Sequence, residues 1–392
     1  MYGGIIMNKE KKLIYGIGVL AVLCLVLLGI LLIRKESVVL KAGNGSTITY
    51  SVDEAEKMTD MLARSSRSFY TDELFGGKKL SVIGHMCPDL DTVGSAIAYA
   101  KFLTELGFDA EPRITMAPNA QTRFALSYCD IPTPEILSDA AGKDIVLVDI
   151  SDDVNSVKNI TEANVVGIVD HHAHNLDTSR PILLEVDPSG ATATIVGMSY
   201  LRNGLVPDEQ TAKLLALTII SDTDGLTGSS VTEADRVIFD WTAEIGKINA
   251  EEVTKKLQEA ELDYTGMTDT EIYYSDYKLY KAGDDEFRYM IGIGLARDRE
   301  EMKDLALRLQ DVINREYKES GLDMMLAQVY VPGDNGQYYV VTGQDADYIF
   351  QGAVGDLVTW DEETGLYYSE ENMSRKTVVS PRINEFVLGE PR

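Results

Sequence analysis

Between Lys78 and about Gly246 the chain alternates short β-branched runs with helix-patterned stretches, and this alternation constrains the fold more than any other feature. Leu80–Ile83, Asp144–Val148 and Val165–Val169 read as strands. Thr92–Leu106, closed by Gly107, and Ala191–Leu201, Asp208–Ile220 and Thr232–Ile245 read as helices. Strand–helix alternation of this kind predicts a parallel α/β sheet. A linker helix and connector follow over 249–264. A second, smaller α/β unit then spans 265–392, with strands Arg288–Ala296, Asp323–Val331 and Gln337–Thr342 and helix Arg299–Ser320. The turn Pro332–Gly336 marks a hairpin.

Open α/β sheets bind ligands beyond the carboxyl ends of their strands, and the chemistry-bearing residues fall there. All four histidines lie in two acidic clusters, Gly84-His85-Met86-Cys87-Pro88-Asp89-Leu90-Asp91 and Val169-Asp170-His171-His172-Ala173-His174. Imidazole beside carboxylate is the donor set that borderline divalent metals favour. Asp149 closes a buried strand, a costly place for an uncompensated charge. Asp222 ends an apolar helix in Ile219-Ile220-Ser221-Asp222-Thr223. Asp89, Asp91, Asp149 and Asp222 with His85 and His171 exceed what one structural metal needs. They suit two divalent ions sharing a carboxylate and a water, an arrangement that hydrolyses phosphoesters and phosphoanhydrides.

Composition narrows the partners. The chain carries 36 basic against 63 acidic residues, a net charge of −27, and no basic run, which argues against a nucleic-acid substrate. Its 3 cysteines cannot form an even disulfide framework. Leu13–Ile33 is nearly continuous apolar sequence, long enough for one transmembrane helix at roughly 20 residues per bilayer core. A cleaved signal peptide is the competing reading, disfavoured because the run is too long and no small-x-small site follows it. The expectation is therefore a single-pass membrane protein with a tail over 1–12, an anchor over 13–33 and a juxtamembrane stalk over 34–77. A helical stretch at Val52–Arg67 lies within that stalk. Positive charge flanks both ends of the anchor, leaving orientation undecided; a cytoplasmic catalytic domain follows from the unpaired cysteines. A homodimer also falls within the expectation.

Taken in order and spacing, Gly84-His85-x-x-Pro88-Asp89-x-Asp91, Asp149, Asp170-His171-His172 and Ser221-Asp222-Thr223 resemble the DHH phosphoesterases. Ser374-Arg375-Lys376, with Pro381 downstream, narrows the resemblance to the manganese-dependent (family II) inorganic pyrophosphatases and their exopolyphosphatase relatives. It covers about Lys78 to Val387. The resemblance implies an N-terminal DHH domain over 78–248 and a substrate-clamping C-terminal domain, with the active site in the cleft between them. His85, Asp89 and Asp149 would hold one ion, and Asp91, Asp149, His171 and Asp222 the other. The ions would be Mn²⁺, with Co²⁺ or Mg²⁺ as alternatives. His172 would contact the substrate, Asp170 would orient a histidine, and Arg375 and Lys376 would neutralise phosphates. The implied reaction is hydrolysis of inorganic diphosphate by a hydroxide bridging the two ions, without a covalent intermediate.

The chain departs from the family in several places. Ile150-Ser151-Asp152 stands for His-Asn-Glu, Cys87 for an Asn, Leu90 for a Ser and Thr227 for a Lys. A linker-region Lys aligns near Gln258. The metal set reads as complete and the phosphate-binding cations as thinned. Two other readings stand beside diphosphate hydrolysis. One is a short-chain exopolyphosphatase or other DHH phosphoesterase; the other is a membrane-tethered metal or phosphate sensor without turnover.

Overall fold

The computed structural model describes residues 38–41, 47–173, 176–178, 180–228, 230–283 and 287–389. Strands β1 (Val38–Lys41) and β2 (Thr47–Tyr50) pair antiparallel ahead of helix α1 (Val52–Arg67). Ser51 starts α1 with a capping box: its hydroxyl accepts from the Glu54 N–H while the Glu54 carboxylate accepts from the Ser51 N–H. This satisfies two of the helix's orphan donors. At its far end Arg67 donates to the Asn203 carbonyl at 3.0 and 2.7 Å, and downstream Phe75 is fully buried. The segment read as a stalk is thus joined to the globular body from α1 onward.

Among the described residues no helix is long and apolar enough to cross a membrane. The expected single-pass placement is corrected on that finding. Leu13–Ile33, on which it rested, lies outside the described residues, as do Cys24 and His174.

The first large unit runs β3 (Lys79–Ile83), α2 (Leu90–Glu105), β4 (Asp109–Ile114), α3 (Ala120–Tyr128), β5 (Glu135–Ile136), β6 (Asp144–Val148), β7 (Asn164–Asp170) and β8 (Leu183–Val186). Helices α4 (Thr192–Arg202), α5 (Glu209–Asp222), α6 (Glu233–Gly246) and α7 (Ala250–Glu261) follow. The sheet is parallel throughout, in the order β5-β4-β3-β6-β7-β8. The chain moves from β3 outward to β4 and β5, then returns to build β6, β7 and β8 on the other side. The direction of winding therefore reverses between β3 and β6, the kind of crevice where open α/β sheets place ligands.

Burial explains why these segments are strands. Leu80, Val82, Val146, Val148 and Val169 face the helices, whereas Ile83, Ile145, Leu147 and Ile168 face a smaller cluster with Ile150, Val157 and Ile160. Helix α2 is buried nearly all round, as befits a helix between a sheet and other helices. Gly84 ends β3 because a Cβ there would stand 2.8 Å from the Val148 carbonyl oxygen. That close approach carries the chain straight into the crevice.

The second unit comprises α8 (Asp269–Tyr273), β9 (Tyr277–Ala282), β10 (Phe287–Leu295), α9 (Arg299–Ser320), β11 (Met324–Tyr330), β12 (Gln337–Gly343), α10 (Ala346–Val354), β13 (Thr359–Asp361), β14 (Leu366–Ser369) and α11 (Ser380–Leu388). Its sheet is mixed, in the order β13-β14-β12-β11-β10-β9, with only β10 and β11 parallel. Leu305, Leu309 and Ile313 of α9 cover one face; Phe350 of α10 and Ile383 of α11 cover the other. The hairpin turn at 332–336 joins β11 to β12, with Gly333 and Gly336 at positive φ. Strand β9 is the sheet's edge and lies against the first unit.

Candidate metal centre and its facing cations

Every carboxylate and imidazole expected at the metals stands at an element end in the β3/β6 crevice. His85 leaves β3 and is 2 % exposed. Its Nδ1 lies 2.6 Å from the Met86 carbonyl oxygen, so Nδ1–H donates there and Nε2 points into the crevice. That Nε2 is buried without a hydrogen-bond partner. It faces Asp89 Oδ2 and Asp149 Oδ2, each at 3.3 Å. Asp89 caps α2, its Oδ1 accepting from the Thr92 N–H at 2.9 Å, which leaves Oδ2 for the crevice.

Asp149 follows β6 at φ 59°, a left-handed conformation that costs an L-residue about 1–2 kcal/mol. The turn aims its carboxylate between two helices. Oδ2 accepts from the Thr92 hydroxyl at 2.7 Å and Oδ1 from the Thr192 hydroxyl at 3.1 Å. Oδ1 also lies 3.5 Å from His171 Nε2. His171 Nδ1 sits 3.0 Å from the Ser189 carbonyl oxygen, and Nε2 faces Asp222 Oδ2 at 3.7 Å. Asp91 accepts from the Thr192 and Ala193 N–H groups at the start of α4, at 2.6 and 2.9 Å. Helix N-termini favour such an anion.

The loop that carries these N–H donors is itself held by a carboxylate outside the crevice. Asp235 of α6 is fully buried and accepts from the Gly190 N–H, the Thr194 hydroxyl and the Thr232 N–H and hydroxyl. Fixing Gly190 fixes Ser189, whose carbonyl orients His171.

Three groups of donor atoms emerge, each lying within 4.8 Å: His85, Asp89 and Asp149; Asp91, His171 and Asp222; and Asp149, His171 and His172. The electrostatics of this crowd call for added positive charge. Burial pushes the Asp91 carboxyl well up, and Asp149, Asp222 and Asp89 push it further. Burial, then Asp89 and Asp149, do the same to Asp222. Burial opposes charge on His85, but Asp89 and Asp149 overcome it and the His85 imidazolium is pushed up to about 10. Burial likewise opposes charge on Asp149, but His85, His172 and His171 hold it well below the usual carboxylate range. An orphaned imidazole nitrogen and several forced carboxyls around shared points fit divalent cations, which supply the missing charge.

His172 is held differently. Asp170, fully buried, takes both the His172 N–H at 3.0 Å and its Nδ1–H at 2.9 Å. Burial, reinforced by the charge of Lys278, keeps the imidazole well below its usual range and so neutral. Its Nε2 lies 3.3 Å from Lys278 Nζ.

Lys278 is a candidate site residue that motif reading missed. It stands on edge strand β9, in a tyrosine-rich run with no recognisable signature. Burial works against its charge, but Asp149 and Asp89 outweigh burial and Arg375 and hold its pKa above the usual lysine range. Gln258, by contrast, is exposed on α7. Arg375 and Lys376 begin a short π-helix, Arg375–Val379. Arg375 pairs with Asp276 at 2.9 Å and donates to the Ile291 carbonyl at 3.2 Å. Lys376 is pushed down by burial and Lys278, while Asp149, Asp222 and Asp170 pull it back. Lys278 and Lys376 therefore come from the second unit and face the acidic crevice of the first, while Arg375 is held by partners of its own unit.

This combination defines a two-domain phosphoesterase with a carboxylate–histidine metal crevice, and comparison with known proteins agrees. Residues 79–219 match the DHH family, N-terminal domain. The manganese-dependent inorganic pyrophosphatase of Bacillus subtilis is 31% identical over 272 residues, 69% of this chain and 87% of that protein. That of Methanothrix thermoacetophila is 30% identical over 307 residues, 76% of this chain and 96% of that protein. The crystal structure of a putative family II inorganic pyrophosphatase from Methanococcus jannaschii superposes with a TM-score of 0.70 at 28% identity, covering 78% of this chain and 99% of that one. The chain belongs to the manganese-dependent inorganic pyrophosphatase family.

Proposed function

We propose that the chain is a hydrolase that splits inorganic diphosphate into two phosphates with two divalent ions, manganese foremost. The observation that carries the proposal is the meeting of donor groups, two of which share Asp149, with Lys278 and Lys376 across one cleft. His85, Asp89 and Asp149 would hold one ion, and Asp91, Asp149, His171 and Asp222 the other. When bound, such ions supply Lewis acidity to phosphoanhydride oxygens and make water in the site more acidic.

The chain's own residues do the rest. The Thr92 and Thr192 hydroxyls fix the orientation of the Asp149 carboxylate, so that each oxygen faces a different histidine. The Met86 and Ser189 carbonyls fix His85 and His171 in the tautomers that present Nε2 to the crevice. Asp170 turns His172 so that its Nε2 accepts from Lys278, placing a neutral imidazole beside an ammonium where an anionic substrate would lie. Lys278 and Lys376 provide point charges, and Arg375 a planar fork, for phosphoryl oxygens whose charge grows as the bond breaks.

Phosphate release from diphosphate, tripolyphosphate and a dinucleotide, run side by side on the manganese-loaded chain, tests this reading. Diphosphate is expected to be turned over fastest. Faster release from tripolyphosphate would shift the substrate to longer polyphosphates, and metal-loaded protein silent on all three would overturn the hydrolase.

A further inference from the structure

The loop after β6 departs from the family pattern, and one of its residues joins the two units. Asn155 is buried at 7 % exposure, and all of its polar atoms are spent. Its backbone N–H donates to Asp152 Oδ1 at 2.7 Å, and its carbonyl accepts from the Met86 N–H at 2.6 Å. Its side-chain oxygen accepts from the Leu279 N–H at 2.8 Å. Its side-chain amide donates to the Leu279 carbonyl at 3.0 Å and to Asp152 Oδ2 at 3.2 Å. A primary amide can pair with one peptide unit in the manner of a neighbouring strand. Strand β9 is an edge, with backbone groups that need such a partner. Asp153 of the same loop pairs with Lys281 further along β9, at 3.2 Å.

These contacts fall directly after Lys278 on β9. The residue that follows it is pinned to Asn155, and Asn155 also holds the Met86 backbone, whose carbonyl orients His85. The position of Lys278 next to His172 is thus set from the first unit, across the cleft.

We propose that Asn155 is a positioning residue, its amide fastening edge strand β9 at Leu279 and thereby fixing Lys278 over the metal crevice. The proposal rests on Lys278 being a phosphate-binding cation. Asn155 touches no donor atom of the candidate metal sites, so its removal should separate substrate affinity from metal affinity.

The full chain is compared with Asn155→Ala, Lys278→Ala and the double variant. Imidodiphosphate, a diphosphate analogue that needs no turnover, is titrated by calorimetry into each manganese-loaded protein, and hydrogen exchange is followed at the β9 amides. Asn155→Ala is expected to weaken imidodiphosphate roughly ten-fold, the effect of two lost hydrogen bonds. It should leave manganese affinity within about two-fold and speed exchange at Leu279. In the Lys278→Ala background it should add less than about two-fold, because the residue it positions is gone. Full additivity, or unchanged exchange at Leu279, would overturn the proposal. Should Asn155→Ala fold poorly, Asn155→Asp keeps the shape and the acceptor for the Leu279 N–H but cannot donate to its carbonyl. The same pattern is expected of it. Failure of wild-type protein to bind imidodiphosphate would count against the diphosphate reading itself, while exchange at Leu279 would still decide whether Asn155 fastens β9.

Discussion

Replacing Asp149 with Asn should lower manganese-dependent phosphate release by about three orders of magnitude, the loss of several kcal/mol of metal-derived stabilisation. The argument is geometric. One oxygen faces His85 and the other faces His171, so a single carboxylate serves both proposed ions. The amide keeps the size of the side chain but only one of its acceptor oxygens, and the two half-sites can no longer share it. Folding should survive, because an amide can still pair with the Thr92 and Thr192 hydroxyls. Removing the charge also relieves the repulsion that pushes Asp91 up. It also forfeits the attraction of His85, His172 and His171 that holds Asp149 ionised, so the metal-free variant should melt modestly below wild type. Near-normal turnover by Asp149→Asn would contradict a shared ligand; a melt far below wild type would show that the loss is one of folding.

The second large effect belongs to Lys278. Lys278→Ala should reduce kcat/KM for diphosphate about a hundred-fold, the scale for removing one preorganised charge donor at a reacting oxyanion. Manganese should bind at least as tightly, since the ammonium supplies no donor atom and its charge, held up by Asp149 and Asp89, opposes a second cation there. Two coupled readouts sharpen the test. The His172 imidazole should titrate closer to its ordinary range once the neighbouring charge is gone. Lys278→Arg should recover part of the rate, because it restores charge while misplacing it. Wild-type kcat/KM in Lys278→Ala would show that Arg375 and Lys376 suffice.

The contrast between Asp149 and Lys278 shows what was readable in the chain. The donor residues were legible because each follows a strand or ends a helix, and the strand–helix alternation placed those ends on one edge of a sheet. Lys278 carries no such mark. It is one lysine between tyrosines, and its role comes from a long-range contact between an edge strand and a loop that precedes it by more than a hundred residues. Strand β4 was missed because Pro112, which cannot donate to a ladder, sits within it. Strands β5, β8 and β13 are too short to show a period. Phe75 was not legible as a core residue. A lone aromatic before two glycines looks like a connector until the fold supplies Tyr70 and Phe108 as ring partners. The motif drew attention to Arg375, but its tether to Asp276 depends on tertiary packing.

The most direct test of the central claim is a calorimetric titration of metal-stripped full chain with manganese at about pH 8 in buffers of different ionisation enthalpy, with phosphate release from diphosphate assayed at each point. The imidazolium of His85 is held at about 10 in the metal-free protein, so it carries a proton that metal binding must displace. The expected result is two ions per chain, net proton release, and activity that rises only as both sites fill. One ion per chain, or turnover that persists after stripping, would contradict the two-metal account.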